Sequence, residues 1–309
     1  MLKNVLFLIP IAALGCGNPG SVGGSDQSGT KGGGGLVIST SVAGQTGQAG
    51  NGGGGSTGSA LPGELNFVIR DFKFYDGTDA TNPDFENPPK TGSNWDDRDI
   101  VSDTLGSDHL PVYKNPQSTA ANPTLTTHGK KWFDQWFRST DGMNIAQTIP
   151  VTLTQNSDGT FGYDASQPGP LNKDGMFFPI DDGTQYATAF GNQSGKDAQG
   201  NSHNFSFTLE IHTVFTYQGG EHFIFSGDDD VFVYVNNRLA INLGGIHSRE
   251  PADLDMGSLV VYGTQEPIPL TKGGTYPLDF FYAERHVVDS NLKITTGLGL
   301  STNSQIPIF

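Results

Sequence analysis

Cysteine is almost absent from this 309-residue sequence, and the lone Cys16 excludes any disulfide within the chain. The fold must then rest on its own core, or on a core and bound metal. Basic residues are scarce as well: 17 Lys and Arg face 32 Asp and Glu, for a formal charge of -15. Polyanions are held by Lys and Arg clusters, so a general nucleic-acid-binding role is excluded. Such acidity suits solubility outside the cell, or divalent cations. After residue 16 no apolar run reaches the roughly 20 residues that a bilayer-spanning helix needs. What is abundant is Gly, at 43 residues, and Phe, at 20. That mixture suits many short strands joined by tight turns better than a helical bundle.

Residues 1–16, MLKNVLFLIPIAALGC, combine a positive start at Lys3 with a short apolar run and small residues before the cysteine. The pattern reads as a secretory signal. Its ending, Ala13-Leu14-Gly15-Cys16, resembles the lipobox of bacterial lipoproteins, with Ala13 where Leu is usual. The resemblance implies lipidation at Cys16 and membrane attachment through that N-terminal lipid. Gly17 in place of Asp favours the outer membrane or cell surface. An ordinary signal peptide with an incidental Cys16 is the alternative. Residues 17–63 turn to Gly, Ser, Thr and Gln, with GGGG at 32–35 and 52–55. A segment of this kind buries too little apolar surface to offset its chain entropy, so it is expected to be a disordered linker. Gly54-Gly55-Ser56-Thr57-Gly58 matches the G-x-S-x-G nucleophile pattern by chance, since neither a strand nor a helix flanks it.

A third segment, 64–309, carries the strand signals. NFVIRDFKFYD (66–76) alternates, then changes phase, as a strand with a bulge does. A Pro- and Asp-rich stretch to about Pro123 reads as irregular excursions over a β core. KKWFDQWFR (130–138) repeats Trp and Phe at i and i+4, which predicts a short helix with one aromatic face. That face either stacks on sugar rings or docks onto the core, and paired aromatics at this spacing favour the core. Strands are expected within 204–217, 222–225, 230–235, 238–243, 258–262, 276–284 and 291–300, with Asn236-Asn237 as a two-residue hairpin turn. Closely spaced strands with almost no helix indicate an all-β sandwich or barrel of Greek-key type.

These segments resemble the fibro-slime domain, a branch of the PA14-like β-sandwich/barrel superfamily. The likeness runs through IRDF (69–72), PDFE (83–86), FDQWF (133–137) and FFPID (177–181), then FSGDDDVFVYVNNRLAINLGGIH (225–247) and FYAERHVVDSN (281–291). It implies an extracellular, non-catalytic recognition domain linked to polysaccharide or matrix adhesion. In sugar-binding PA14 domains two adjacent Asp residues chelate calcium, often across a cis peptide bond, and a second loop completes the site. Here the resemblance maps the metal ligands onto Asp228, Asp229 and Glu284, the last standing where Asn is usual. His286 and Val288 would offer carbonyls, and Asp230, Arg285 and His286 would face the ligand.

The chemistry is consistent with that mapping. Two carboxylates about 4 Å apart repel by roughly 4 kcal/mol at an effective dielectric of 20, so adjacent Asp residues want a cation or a proton. Calcium takes oxygen ligands in flexible geometry, whereas the His spacing offers nothing suited to zinc. A solvated acidic turn, or Asx-type capping, is the alternative for Asp228–Asp230, and a structural ion pair is the alternative for Glu284–His286. Two further readings of the chain's function remain at this point. One is a structural envelope or matrix protein with a stabilising calcium site. The other is a glycoside hydrolase using the paired carboxylates.

Overall fold

Where the sequence alternates, a strand buries one face; where it runs apolar without a break, it is covered on both, and the sheets stack accordingly. The computed structural model describes residues 63–89, 95–115, 117–119, 121–191, 195–287, 289–303, 305 and 306. The expected leader, Cys16 and nearly all of the expected linker lie outside the described residues, as does Val288.

β1 (Glu64–Phe72) is followed by a long excursion containing β2 (Trp95–Asp96) and one helical turn, α1 (Lys130–Phe133). β3 (Asn144–Thr152) returns beside β1, and β4 (Thr154–Gln155) and β5 (Phe161–Asp164) form a hairpin. Two small ribbons come next, β6 (Asn172–Lys173) with β7 (Met176–Phe177), and β8 (Gly195–Lys196) with β9 (Ser202–His203). The second half supplies β10 (Phe207–Thr216), β11 (His222–Gly227), β12 (Asp230–Val235), β13 (Arg238–Leu243) and β14 (Gly245–Ile246). β15 (Glu250–Asp255), β16 (Thr275–Glu284), β17 (Leu292–Thr296) and β18 (Ser301–Thr302) complete the set.

A seven-stranded sheet runs β13-β12-β16-β10-β1-β3, with β18 also paired to β10. A five-stranded sheet runs β15-β11-β17-β5-β4. One core lies between them, where Phe207, Leu209 and Ile211 of β10 meet Phe223 and Phe225 of β11 and Ile294 of β17. A second core lies on the outer face of the larger sheet. There Phe72, Phe232 and Phe281 of the sheet are roofed by Phe85, Trp136 and Phe137. The long excursion after β1 is thus the third layer. Burying each such side chain contributes about 1.5–3 kcal/mol against the entropy of ordering it.

The all-β sandwich with one short helix agrees with the sequence reading, and several local expectations need correction. The phase change in β1 is not a bulge, because its pairing with β3 is continuous from Glu64↔Thr152 to Phe72↔Asn144. Phe72 simply belongs to the second core while Phe67 and Ile69 belong to the first. The aromatic segment forms a single α-helical turn followed by turns, and Trp132, Phe133, Trp136 and Phe137 are all buried. These rings build the core and offer no exposed platform. Residues 258–262 do not form a strand; Val260 makes one isolated bridge, to Pro267. Asn236 and Asn237 sit at φ 51° and 62° between β12 and β13, as a type I′ hairpin turn requires.

Candidate functional site

β12 and β16 lie side by side in the middle of the seven-stranded sheet, with Asp230 opposite Ala283. Continuing that antiparallel register by one residue sets Asp229 against Glu284, the last residue of β16. Two acidic positions 55 residues apart are therefore neighbours because of strand pairing. The Asp228–Asp229 peptide bond is cis.

Each Asp in the loop is held by a different partner. Asp228 accepts from the Asn291 backbone N–H at 2.6 Å and from its side-chain amide at 3.0 Å. Asp229 accepts from the backbone N–H groups of His247, at 3.2 Å, and Arg285, at 3.1 Å. Glu284 accepts from the Tyr282 hydroxyl at 2.8 Å, while its buried Oε1 has no hydrogen-bond partner among the described residues. Asp228 is 5% exposed, Asp229 4% and Glu284 0%.

Burial drives the protonation behaviour of all three. Loss of solvent pushes the Asp228 carboxyl above its ordinary range, against the pull of the two Asn291 hydrogen bonds. Asp229 is pushed well up by burial, partly opposed by Arg285, with Asp230 and Asp228 adding to the rise. Glu284 is also pushed well up, first by burial and then by Asp229 and Asp228. The mutual repulsion means that these carboxylates sense one another. Three buried acids of this kind need protons or a cation. Among the described residues, no three His, Cys, Asp or Glu side chains already converge as a ready-made metal-ligand set. The donor set is nonetheless all oxygen, and Glu284 Oε1 is an orphaned acceptor of the type calcium takes.

Asp230 and Arg285, expected to face a ligand, lie in the interior of the described structure. Both side chains are fully buried, and they pair at 2.7 Å. The Arg285 guanidinium lies 4.4 Å over the Trp136 ring and donates to the carbonyls of Asp84 and Thr126. Asp84 in turn accepts from Trp136 Nε1 and from the His128 backbone. Arg285 therefore ties the acidic loop to the second core, which is why it cannot reach solvent. His286 does reach it: its side chain is 30% exposed, with its ring 6.4 Å from Trp95 and its Nδ1 3.7 Å from Glu86 Oε2.

Sequence reasoning missed Asn291 and His247 as holders of the two Asp residues. For His247 the signal in the sequence is Gly245, a position that only glycine fits. Gly245 stands at φ +128°, and a Cβ there would lie 2.0 Å from the Trp95 carbonyl oxygen. Only glycine lets β14 close on β2 and bring the His247 N–H to Asp229.

Comparison with known proteins agrees with this architecture. Protein psiR of Dictyostelium discoideum is 37% identical over 233 residues, covering 75% of this chain and 21% of that protein. Protein psiC of the same organism is 37% identical over 232 residues, covering 74% of this chain and 40% of that protein. The chain thus spans between about a fifth and two fifths of these curated relatives. Among solved structures, the Epithelial Adhesin 6 A domain from Candida glabrata, in complex with Galb1-3GlcNAc, aligns at TM-score 0.28 and 13% identity. It covers 80% of this chain and 83% of that one, a likeness too loose to place any residue. The PA14 domain model matches residues 151–308, a span running from β3 through β18 and holding both halves of the acidic site, and the chain belongs to the PA14 domain family.

Proposed function

We propose that this protein is a non-catalytic recognition module that binds carbohydrate through calcium held by Asp228, Asp229 and Glu284. The observation that carries the reading is the Glu284 Oε1 atom, buried without a partner among the described residues and beside two further buried carboxylates. When bound, calcium would supply positive charge to that atom and open coordination positions for sugar hydroxyls. The chain's own residues do the rest. Asn291, His247 N–H and Arg285 N–H orient the two Asp side chains, and Tyr282 orients Glu284. His286 and Trp95 stand on the accessible side, where a ligand would arrive. Lipidation at Cys16 would display the module at an outer membrane or cell surface.

A glycan array probed with the full chain tests the proposal. Binding is expected with calcium, and is expected to vanish in EDTA and in the Asp228→Asn/Asp229→Asn double variant. Binding indifferent to both changes would sink it. A second reading, calcium as a purely structural ion, is favoured by the depth of the carboxylates. It predicts a melting temperature raised by calcium with no glycan retained.

A further inference from the structure

Both sheets end at one side of the molecule, β3 as the edge of the larger and β4–β5 as the edge of the smaller. Where the chain crosses from one sheet to the other, between β3 and β4, the edges part around a cavity of about 480 Å³. That lies within the roughly 300–1,000 Å³ of ordinary small-ligand pockets. None of Asp228, Asp229 or Glu284 lines it.

The lining falls into two kinds. Val151 and the half-buried Tyr163 supply the apolar surface, with Ile149, Leu171 and Ile294 buried beneath them in the core between the sheets. Thr154, Asn156, Gln167, Asn172 and Thr295 add uncharged hydroxyl and amide groups. Neither the Thr154 nor the Thr295 hydroxyl has an internal hydrogen bond among the described residues. Tyr163, by contrast, is fixed: its hydroxyl donates to Asn172 Oδ1, and the Asn172 amide donates to the Gln167 carbonyl. Among the described residues that line the cavity, Lys293 and Asp164 alone are charged, and they neutralise one another at 2.8 Å. A charged ligand therefore meets no unpaired opposite charge here, and its desolvation would go uncompensated.

The backbone excludes a second class of occupant. A peptide adding as a strand needs an unbroken row of edge donors. Pro150 in β3 has no N–H, and the edge strand on the other side, β4, is only two residues long, so neither edge offers such a row. A compact, neutral, polyhydroxylated molecule with one apolar face meets every requirement of the lining.

We infer that this edge cavity is a second binding site, for one or two units of a neutral saccharide, and that it works without metal. It goes beyond the calcium-dependent reading and stands or falls apart from it. Only Leu292 separates Lys293, on its wall, from Asn291, which holds Asp228, so the two sites flank the start of one strand.

The test is an NMR titration of the full chain with glucose, galactose, mannose and cellobiose, all in EDTA. At least one sugar is expected to shift the Ile149 and Ile294 methyl signals, with millimolar affinity. The Asp228→Asn/Asp229→Asn variant is expected to behave as the parent does. Thr154→Trp, a change at an exposed position that fills the mouth, is expected to weaken binding tenfold or more while the circular dichroism spectrum stays unchanged. Gln167→Ala, also exposed, is expected to weaken it about threefold to tenfold, and serves if the bulkier change disturbs the fold. No shift with any of the four sugars, or binding that both variants leave intact, overturns the inference.

Discussion

At the scale of single residues, the protein contains acids that its fold keeps from ionising freely. Glu284 is the clearest, with one oxygen hydrogen-bonded to Tyr282 and the other without a partner among the described residues. Gln resembles its protonated form, so Glu284→Gln is expected to change metal-free stability by less than about 1 kcal/mol. The same change is expected to abolish most of the melting-temperature rise produced by calcium, as differential scanning fluorimetry would show. Asp71 is a second such acid, away from the proposed metal. Burial pushes its carboxyl from 3.8 to about 7, despite hydrogen bonds from Thr188 and Asn204. Between those values the folded chain holds a proton that the unfolded chain releases. Stability from this group is therefore full below about pH 4 and is lost as the pH rises through 7. Asp71→Asn keeps the neutral form at every pH. Its advantage over the parent in urea denaturation is expected to grow from pH 5 to pH 8, reaching on the order of 4 kcal/mol. An advantage constant with pH would contradict this account of Asp71.

At the scale of elements, the acidic site is a product of strand register. β12 and β16 place Asp229 against Glu284, β14 delivers the His247 N–H, and Asn291 at the entry to β17 fixes Asp228. Gly245→Ala should separate β14 from β2 and cost about 2 kcal/mol or more, since its Cβ would collide with the Trp95 carbonyl at a positive φ. Arg285→Met should cost about 3–5 kcal/mol, because Asp230 would be left buried and unpaired. Chemical denaturation of the two variants reads both values, and a near-neutral effect of either would remove that residue from the account. Much at this scale was legible in the sequence. Val231, Val233 and Val235 advertise β12, and the Asn236-Asn237 pair announces its turn. β15 was not legible, because Glu250–Asp255 is acidic and half exposed at a sheet edge. β3 was hidden by Pro150 and by intermediate burial that leaves no clean alternation.

At the scale of the whole molecule, a two-sheet sandwich carries a third layer on one face, and Arg285 joins that layer to the acidic loop. The paired Asp loop and the partner strand were visible in the sequence through resemblance. The inward turn of Asp230 and Arg285 was not, because which side of β16 faces the second core depends on the long excursion that roofs it. The central claim is that three buried carboxylates await one cation. Isothermal titration of calcium into metal-stripped full chain at neutral pH tests it most directly. The account predicts saturable binding near one ion per chain, with proton release, lost in Asp228→Asn/Asp229→Asn and in Glu284→Gln. No saturable binding, or binding that survives in those variants, would contradict it.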